Sequence, residues 1–341
     1  MPKASVSRPV RLLLTAGDPS GIGPEVLLKA LALRLGRSSK IPDRPELVEG
    51  RRTNGLLRAN GYDPSLTVIG DLELLRRTAR SLKLEFRWDR FGWIDSGRAR
   101  VVPGRTQPAA GRAAYRCLQE AVRLIRAGAY DALVTAPVSK EAIVRAGISW
   151  IGHTEYLAQQ FRCKTTMMFV TGNFRVSLLT SHCAIRDLPR RLSRRETIRV
   201  LNDTYDFIRR DLGILRPRLA LASLNPHAGE NGMFGDEEKK ILVPAVRAFK
   251  KAQGPLPVDT LMKQAAGGAY DAVVAIYHDQ ALIPVKLLGW DKSVNVTLGL
   301  PFIRTSPVHG TAFDIAGKGK ADPRSMQAAI VLAIELAGNR K

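Results

Sequence analysis

The chain has 341 residues, of which 45% are hydrophobic, and its formal net charge is +22. This length exceeds what a single hydrophobic core usually supports, so we expect two domains. The strong positive charge brings nucleic acid into consideration as a partner. However, the basic residues are scattered among acidic ones on several predicted helices, and no nucleic-acid-binding motif is present, which favours an anionic small substrate. We therefore predict no nucleic-acid partner.

The cysteine content and the apolar runs indicate a cytoplasmic protein. Cys117, Cys163 and Cys183 show no CxxC spacing, and three thiols cannot all pair within one chain, which favours a reducing compartment. The apolar run near the start is too short for a signal peptide. No apolar run approaches the roughly 18 residues of a membrane span, so we expect no membrane partner.

Apolar runs alternate with amphipathic segments along most of the chain. This alternation predicts an α/β fold with a largely parallel sheet covered by helices on both faces. The predicted strands are 11–16, 67–70, 132–135, 166–170, 176–180, 219–223, 272–276 and 293–297. The main predicted helices are 72–82, 111–127, 195–210, 236–253 and 325–337, with another beginning at GHTE (152–155).

Two segments near the N-terminus interrupt this rhythm. After the first strand, Gly17, Gly21 and Gly23 allow a tight turn into a helix. The N-terminus of that helix could face an anion or a cofactor, and a purely structural turn explains the pattern equally well. Residues 37–60 are polar and broken by Pro and Gly, so we interpret them as an exposed insertion loop without chemistry.

Residues 272–317 concentrate polar side chains between apolar runs. His278 and Asp279 follow the strand 272–276, a position where α/β proteins often carry their chemistry. After the strand 293–297, a loop punctuated by Gly and Pro is predicted to hold several polar residues: Arg304, Ser306, His309, Gly310, Thr311 and Asp314. We interpret this stretch as part of a functional site.

Three histidines share one context, because His182, His227 and His278 each follow an apolar strand. In a parallel sheet such strand ends lie at one edge, where three imidazoles would suit zinc or a similar divalent ion. Asp187 and Asp279 could orient the rings. The alternative interpretation is that each histidine is an ordinary loop residue.

Five further residues could contact an anionic ligand. His153 and Thr154 lie at the start of a predicted helix, where they serve either as a ligand-binding pair or as a simple helix start. Lys286, Asn295 and Arg304 supply two cations and an amide near strand ends, which suits a carboxylate or a phosphate. Each of them alone is more typical of a surface charge or a structural hydrogen bond.

Taken together, the motifs resemble the 4-hydroxythreonine-4-phosphate dehydrogenase family of vitamin B6 biosynthesis. The resemblance covers nearly the whole chain except residues 37–60. It rests on the strings GDPSGIGPE, VIGD, TAPVSK, GHTEYLA, SHCAIRDLP, LNPHAGE, YHDQALIPVK and VNVTLGLPFIRTSPVHGTAFDIAG. One departure is NGMFG after LNPHAGE, where many members carry a second histidine and where Phe234 cannot act as a ligand.

The resemblance implies a two-domain α/β/α fold similar to isocitrate and isopropylmalate dehydrogenases, with a cleft between the domains. One domain would combine residues 1–135 and 305–341, and 136–304 would form the other, which carries the metal and substrate ligands and the dimer interface. The family is homodimeric, and its metal site takes ligands from both subunits.

The resemblance also implies the roles of individual residues. A divalent metal (zinc, magnesium or cobalt) would be bound by His182, His227 and His278. A phosphorylated amino-acid substrate would contact His153, Thr154, Lys286, Asn295 and Arg304, with Lys286 or Asp279 transferring the proton. NAD or NADP would contact His309, Gly310, Thr311 and Asp314.

The implied reaction is oxidation of 4-hydroxythreonine 4-phosphate at C3, followed by decarboxylation to 3-amino-2-oxopropyl phosphate. A sister dehydrogenase acting on 4-phospho-threonate or 4-phospho-erythronate is the main alternative, because it needs the same metal and phosphate sites. An acyltransferase of the phosphate acetyltransferase type has a similar fold. That alternative requires no metal, and the three placed histidines argue against it.

Overall fold

The computed structural model describes residues 9–32 and 65–340. The predicted insertion loop 37–60 therefore lies outside the described residues. No helix within the described ranges is long and apolar enough to cross a membrane.

Strands and helices alternate along the described chain. The strands are β1 Arg11–Thr15, β2 Ser65–Gly70, β3 Gly92–Asp95, β4 Ala132–Thr135, β5 Thr166–Thr171, β6 Phe174–Leu178, β7 Leu219–Ala222, β8 Ala252–Leu256, β9 Ala272–Ala275, β10 Val294–Leu298 and β11 Ile303–Pro307. The helices are α1 Gly23–Ala32, α2 Leu72–Ser81, α3 Pro108–Arg126, α4 Lys140–Arg145, α5 His153–Phe161, α6 Leu188–Arg191, α7 Arg194–Asp206, α8 Val243–Phe249, α9 Val258–Ala266, α10 His278–Gly289 and α11 Arg324–Asn339. The α/β class predicted from the sequence is confirmed.

The chain divides into two compact units. The first contains the described residues up to Cys163 together with those from Leu300 onward, and the second contains Lys164–Gly299. These divisions differ from the sequence-based boundaries at 135/136 and 304/305. Residues 136–163 lie in the first unit because Ile143, Trp150 and Leu157 are buried in its hydrophobic clusters.

The first unit is built on a parallel sheet with the strand order β3-β2-β1-β4-β11. In its register Thr15 at the end of β1 lies beside Ile69 of β2 and Thr135 of β4. Leu13 and Leu133 are fully buried in the sheet, and Leu118 of α3 is 1% exposed. Turns that follow β1 and β4 therefore emerge at one edge of this sheet.

The second unit is built on a mixed sheet with the strand order β10-β5-β6-β9-β7-β8. Strand β5 pairs antiparallel with both β10 and β6, whereas the pairs β6–β9, β9–β7 and β7–β8 are parallel. The two residues Gly172 and Asn173 join β5 to β6 as a tight hairpin, which antiparallel strands permit. The expectation of a largely parallel sheet is thus wrong for this half of the unit.

Strands β3, β8 and β11 are absent from the sequence-based prediction, and the reasons for β8 and β11 differ. β8 contains Gly254 and Pro255, which oppose a central strand but are tolerated here because β8 lies at the end of the strand order. β11 contains the polar residues Arg304, Thr305 and Ser306, yet all five of its residues are buried. The prediction that Arg304 and Ser306 lie in a loop is wrong.

Candidate active site

The predicted site residues fall into both units. His153, Thr154, Arg304 and the 309–314 segment belong to the first unit. The second unit contains the three predicted metal ligands and the remaining substrate and proton-transfer residues: His182, His227, His278, Asp279, Lys286 and Asn295.

His182 and His278 lie close together in the second unit. They follow the neighbouring parallel strands β6 and β9, whose pairing continues past their ends through the hydrogen bonds Leu179 N to Ala275 O (2.8 Å) and Thr180 N to Ile276 O (3.0 Å). The centroids of the two imidazole rings are 6.0 Å apart. Two imidazoles that share one tetrahedral zinc ion, with zinc–nitrogen bonds of about 2 Å, have ring centroids roughly 5 Å apart. The two rings are therefore about 1 Å farther apart than a zinc-bound pair, a difference that rotation of the exposed His182 side chain can close.

The orientation of the His278 ring is fixed by its neighbour in sequence. Nδ1 of His278 lies 2.7 Å from Oδ1 of Asp279. When Nδ1 donates its proton to this carboxylate, the lone pair of Nε2 is left available for a metal ion, an arrangement common in metal sites. The contact matches the ring-orienting role suggested for Asp279 from the sequence.

Gln280 fixes the start of α10, a role that was not predicted from the sequence. This buried side chain accepts a hydrogen bond from Ile276 N (2.8 Å) and donates one to Ser223 O (2.9 Å). It thereby joins the ends of β9 and β7 directly beneath His278. The sequence signal for this role was an amide residue close to the candidate ligand His278 and just after an apolar strand, because a buried amide needs hydrogen-bond partners.

His227 lies in a loop with an unusual backbone. Residues 227–231 all have positive φ values, including 51° at His227 and 41° at Glu230. Non-glycine residues rarely adopt this conformation, and such clusters are typical of functional segments. The side chain of His227 is exposed, and its ring centroid is 6.3 Å from that of Phe234.

The buried carboxylate of Glu238 supports this loop. Its Oε1 accepts hydrogen bonds from Leu224 N and Asn225 N, both at 2.8 Å, and its Oε2 accepts one from Asn225 Nδ2 at 2.9 Å. Glu238 was not among the predicted site residues. The sequence does contain a sign of its role, because Glu238 is an acidic residue on the apolar face of a predicted helix, four residues before the fully buried Leu242.

Strand β7, which precedes His227, pairs in parallel with β9. All three histidines therefore follow strands that end at the same edge of the second unit. Within one chain, however, no three His, Cys, Asp or Glu side chains among the described residues form a group able to hold a metal ion. The structure brings His182 and His278 together and leaves His227 outside that pair.

The buried Arg304 and the half-buried His153 lie in the first unit, where the charge of Arg304 acts on the His153 ring. The Arg304 side chain is 3% exposed and donates a hydrogen bond from Nη2 to Oγ1 of Thr135 (2.7 Å). Burial lowers the pKa of Arg304 to about 10, although the nearby Glu155 carboxylate opposes this change. Burial, and then the Arg304 charge, hold the pKa of His153 well below its ordinary value.

His153 is therefore a neutral imidazole at pH 7, and its Nε2 is buried without a hydrogen-bond partner among the described residues. His153 and Thr154 begin α5, preceded by Gly152. A buried cation beside an unsatisfied imidazole nitrogen is an arrangement suited to an anionic oxygen ligand.

Asn295 and Lys286 are placed differently from this pair, on elements of the second unit. Asn295 lies on β10 opposite Phe169, and its Oδ1 is buried without a partner in the part of the chain that the structure describes. Lys286 is exposed on α10, with Nζ 4.8 Å from the centroid of the Trp290 ring. Asn295 therefore has an unused acceptor, and Lys286 a solvent-accessible amine.

The predicted cofactor residues lie in the segment between β11 and α11. Nδ1 of His309 is 3.1 Å from Gly310 O, and its Nε2 is buried with no hydrogen-bond partner within the described ranges. Burial lowers the pKa of His309, while the contact with Gly310 and the charge of Asp322 oppose this effect. Thr311 O accepts a hydrogen bond from Ile22 N at 2.9 Å. The Gly-rich turn after β1 therefore contacts the predicted cofactor segment.

Several proteins that this chain resembles in sequence and in structure are dehydrogenases. The crystal structure of 4-hydroxythreonine-4-phosphate dehydrogenase from Klebsiella pneumoniae is similar with a TM-score of 0.78 and 38% identity, covering 96% of this chain and 99% of that chain. The 4-hydroxythreonine-4-phosphate dehydrogenase of Geobacter metallireducens is 42% identical, over 96% of this chain and 95% of that protein. The D-threonate 4-phosphate dehydrogenase of Salmonella typhimurium is also 42% identical, over 95% of this chain and 98% of that protein. The chain is an oxidoreductase of this class.

The family model described as pyridoxal phosphate biosynthetic protein PdxA matches residues 63–333. This match and the relatives above show that the chain belongs to the PdxA family, and they confirm the resemblance stated from the sequence motifs.

Proposed function

We propose that this chain oxidises 4-hydroxythreonine 4-phosphate at C3, with NAD or NADP as hydride acceptor and a divalent metal ion, and that the product decarboxylates to 3-amino-2-oxopropyl phosphate. The observation that carries this proposal is the His182–His278 pair, with Nδ1 of His278 held by Asp279. The family adds support, because its members include enzymes named for this substrate.

The donor set fits a divalent metal. His182 and His278 of one chain would hold the ion together with His227 of a second chain. Imidazole ligands favour zinc or cobalt over magnesium, and three of them leave a coordination position for substrate. When bound, the ion supplies Lewis-acid polarisation of the C3 oxygen.

A second copy of this chain is the proposed source of the third ligand. Helix α10, which begins at His278, exposes apolar side chains: Ile283 is 58% exposed, Leu287 is 82% exposed, and Trp290 just after the helix is 49% exposed. Adjacent exposed apolar residues on one helix are typical of a protein–protein interface. A homodimer that covers this face would bring the two chains together beside the metal ligands.

Mixed dimers test the sharing of ligands. Neither His182→Ala nor His227→Ala protein alone would have a complete site. In a mixed dimer one site would combine intact His182 and His278 from one chain with intact His227 from the other, so activity should return in about one site of two. Mixing His182→Ala with His278→Ala is the matched control. We expect no recovery there, because both ligands come from the same chain. Equal recovery in both mixtures, or none in either, would contradict the shared site.

The anionic groups of the substrate are assigned to the polar side chains with unused hydrogen-bonding capacity. Arg304 and His153, with Thr154, would hold one anionic group through the buried guanidinium charge and the imidazole nitrogen. Asn295 and Lys286, which belong to the second unit, are the other side chains proposed as substrate contacts.

His309, Gly310, Thr311 and Asp314 would hold the nucleotide. With Nδ1 of His309 donating to Gly310 O, Nε2 is a buried acceptor without a partner. This acceptor suits an exocyclic amino group such as that of adenine.

The reaction balances with one nicotinamide and one base. The substrate loses a hydride from C3 and a proton from the C3 hydroxyl, giving a β-keto acid, and the carboxylate then leaves as carbon dioxide with its electron pair retained on the substrate. A proton subsequently restores the amino ketone. Because the Asp279 carboxylate is engaged by His278, Lys286 is the first residue to test for proton transfer.

Oxidation of D-threonate 4-phosphate is the second candidate function. Relatives with that name are as similar to this chain, at 42% identity, as those named for 4-hydroxythreonine 4-phosphate. The two substrates differ at C2, where one carries an amino group and the other a hydroxyl. Comparing kcat/KM for both, with carbon dioxide release measured alongside nicotinamide reduction, distinguishes them. Preference for D-threonate 4-phosphate would overturn the proposed substrate while leaving the reaction type intact.

The proposed setting is the cytoplasm, supported by the cysteines. Cys117, Cys163 and Cys183 are all free, which is typical of proteins in a reducing compartment.

A further inference from the structure

We propose that the Gly-rich turn 17–23 is a rigid support that fixes the 309–317 loop in its nucleotide-binding position, with Gly21, Gly104 and Gly317 as positioning residues. This inference rests on the proposed function, because it takes the 309–317 loop as the nucleotide site. From the sequence, the turn had a ligand-binding and a purely structural interpretation of equal weight. Its contacts indicate a third role, in which it acts on the ligand through another loop.

The closest contact between the turn and the loop is at Gly21. A Cβ atom at this position would lie 2.9 Å from Thr311 Cβ and 3.0 Å from Thr311 O. Beside it, Ile22 N donates a hydrogen bond to Thr311 O at 2.9 Å. The loop thus lies as close to the turn as glycine allows, and the hydrogen bond fixes its distance.

Two more glycines hold the same loop further along. A Cβ atom at Gly104 would lie 2.9 Å from Phe313 O, and one at Gly317 would lie 2.9 Å from Pro103 Cβ. The 103–104 segment is itself tied to the turn, because Gly104 N donates a hydrogen bond to Ser20 O at 2.8 Å. The loop is therefore in close contact at three points along nine residues.

The backbone of the turn 17–23 is held by hydrogen bonds and close contacts, so it cannot easily move away from the 309–317 loop. Asp18 is fully buried, and its Oδ1 accepts hydrogen bonds from Ser20 N (2.8 Å) and Ser20 Oγ (2.7 Å). Its backbone N–H donates to Pro137 O at 2.9 Å, and a Cβ atom at Gly17 would lie 2.4 Å from that oxygen. An added methyl group at Gly21 must therefore displace Thr311 rather than the turn.

This support would keep the loop ordered before the nucleotide arrives. A loop already held in its bound conformation loses less entropy on binding, which strengthens the affinity. Displacing it by even about 1 Å is enough to reduce catalysis strongly. The turn would thus act on nucleotide affinity without contacting the substrate.

Gly21→Ala tests the support directly, because φ at Gly21 is not in the left-handed region and the substitution is purely steric. We expect a rise of roughly tenfold in the Kd and KM for NAD. The Kd for the phosphorylated substrate, measured on zinc-loaded protein without nucleotide, should stay within about twofold. Amide hydrogen exchange of peptides covering residues 309–317 should become faster. Gly267→Ala is the matched control, since a Cβ atom there would meet only ordinary contacts of 3.5 and 3.6 Å.

Gly104→Ala is the second variant, and it tests the same support of the 309–317 loop if Gly21→Ala does not fold. It meets Phe313 O at a less buried position, with a φ of 82°, and the same pattern of effects is expected. Unchanged NAD affinity and unchanged amide exchange at 309–317 in a folded variant would overturn the proposal that the turn supports the loop.

The proposed nucleotide site has a separate readout in wild-type protein. If NAD binds but gives no protection of residues 309–317, that site is wrong, whatever the glycine variants show.

Discussion

Replacing Arg304 by methionine should raise the free energy of unfolding while lowering the affinity for the phosphorylated substrate. Folding lowers the pKa of Arg304 to about 10 because the guanidinium is buried, and each tenfold change in a protonation equilibrium corresponds to about 1.4 kcal/mol. The folded environment therefore disfavours the charged guanidinium by roughly 3 kcal/mol. Methionine fills a similar volume without that charge, so the variant should regain part of this free energy, less about 1 kcal/mol for the lost hydrogen bond to Thr135.

Substrate binding should change in the opposite direction to stability, because Arg304→Met removes a charged hydrogen-bond donor. A hydrogen bond to a charged group contributes about 1.5–3 kcal/mol, so Arg304→Met should raise the KM for the phosphorylated substrate by about one to two orders of magnitude. Thermal unfolding of metal-loaded protein without substrate measures the first effect, and steady-state kinetics measure the second. Arg304→Lys is the control that keeps a positive charge. A lower unfolding temperature in Arg304→Met together with an unchanged KM would refute both the burial argument and the anion-binding role.

Three further predictions concern the other parts of the site. Asp279→Asn removes the carboxylate that holds His278, so zinc affinity, measured by chelator competition, should fall about 10–100-fold. The folded-state pKa of His153 is lowered, so below pH 6.5 the unfolded state binds a proton that the folded state excludes, and stability falls as the pH falls by at most about 1.4 kcal/mol per pH unit. In His153→Asn this contribution should disappear from the pH dependence of thermal unfolding. Leu287→Asp should convert a dimer into monomers in analytical ultracentrifugation, with loss of metal-dependent activity.

Each of these has an outcome that would contradict it. Unaltered zinc affinity in folded Asp279→Asn would show that the contact with His278 does not tune a metal ligand, and Asp236→Asn, at an exposed ion pair with Lys240, controls for loss of charge. An identical pH slope in His153→Asn would place the acid sensitivity elsewhere. A dimer that persists in Leu287→Asp would exclude the exposed face of α10 as the interface.

The sequence was most informative where one signal dominated. Apolar runs placed β4 at the residues where the structure has it, and strand ends correctly located His182 and His278 at one edge. β8 and β11 could not be recognised, because Pro255 in one and Arg304 in the other oppose a strand locally, and pairing with neighbouring strands overrides that preference. Local pattern contains no information about such pairing.

The site was only partly predictable for the same reason. Motif identity selected Arg304 and His153, but their burial and altered pKa values depend on the packing of β11 against β4. The supporting residues Gln280 and Glu238 act through hydrogen bonds to backbone atoms far away in the sequence, such as Gln280 to Ser223. The close contact between Gly21 and Thr311 likewise joins residues separated by most of the chain.

The most direct test of the central claim is nicotinamide reduction by the purified protein with 4-hydroxythreonine 4-phosphate, before and after removal of metal by a chelator. We expect turnover that disappears on chelation, returns with zinc or cobalt, and is absent in His278→Ala whatever metal is added. A folded, metal-loaded protein that reduces no nicotinamide with this substrate or with D-threonate 4-phosphate, or turnover that survives complete chelation, would contradict it.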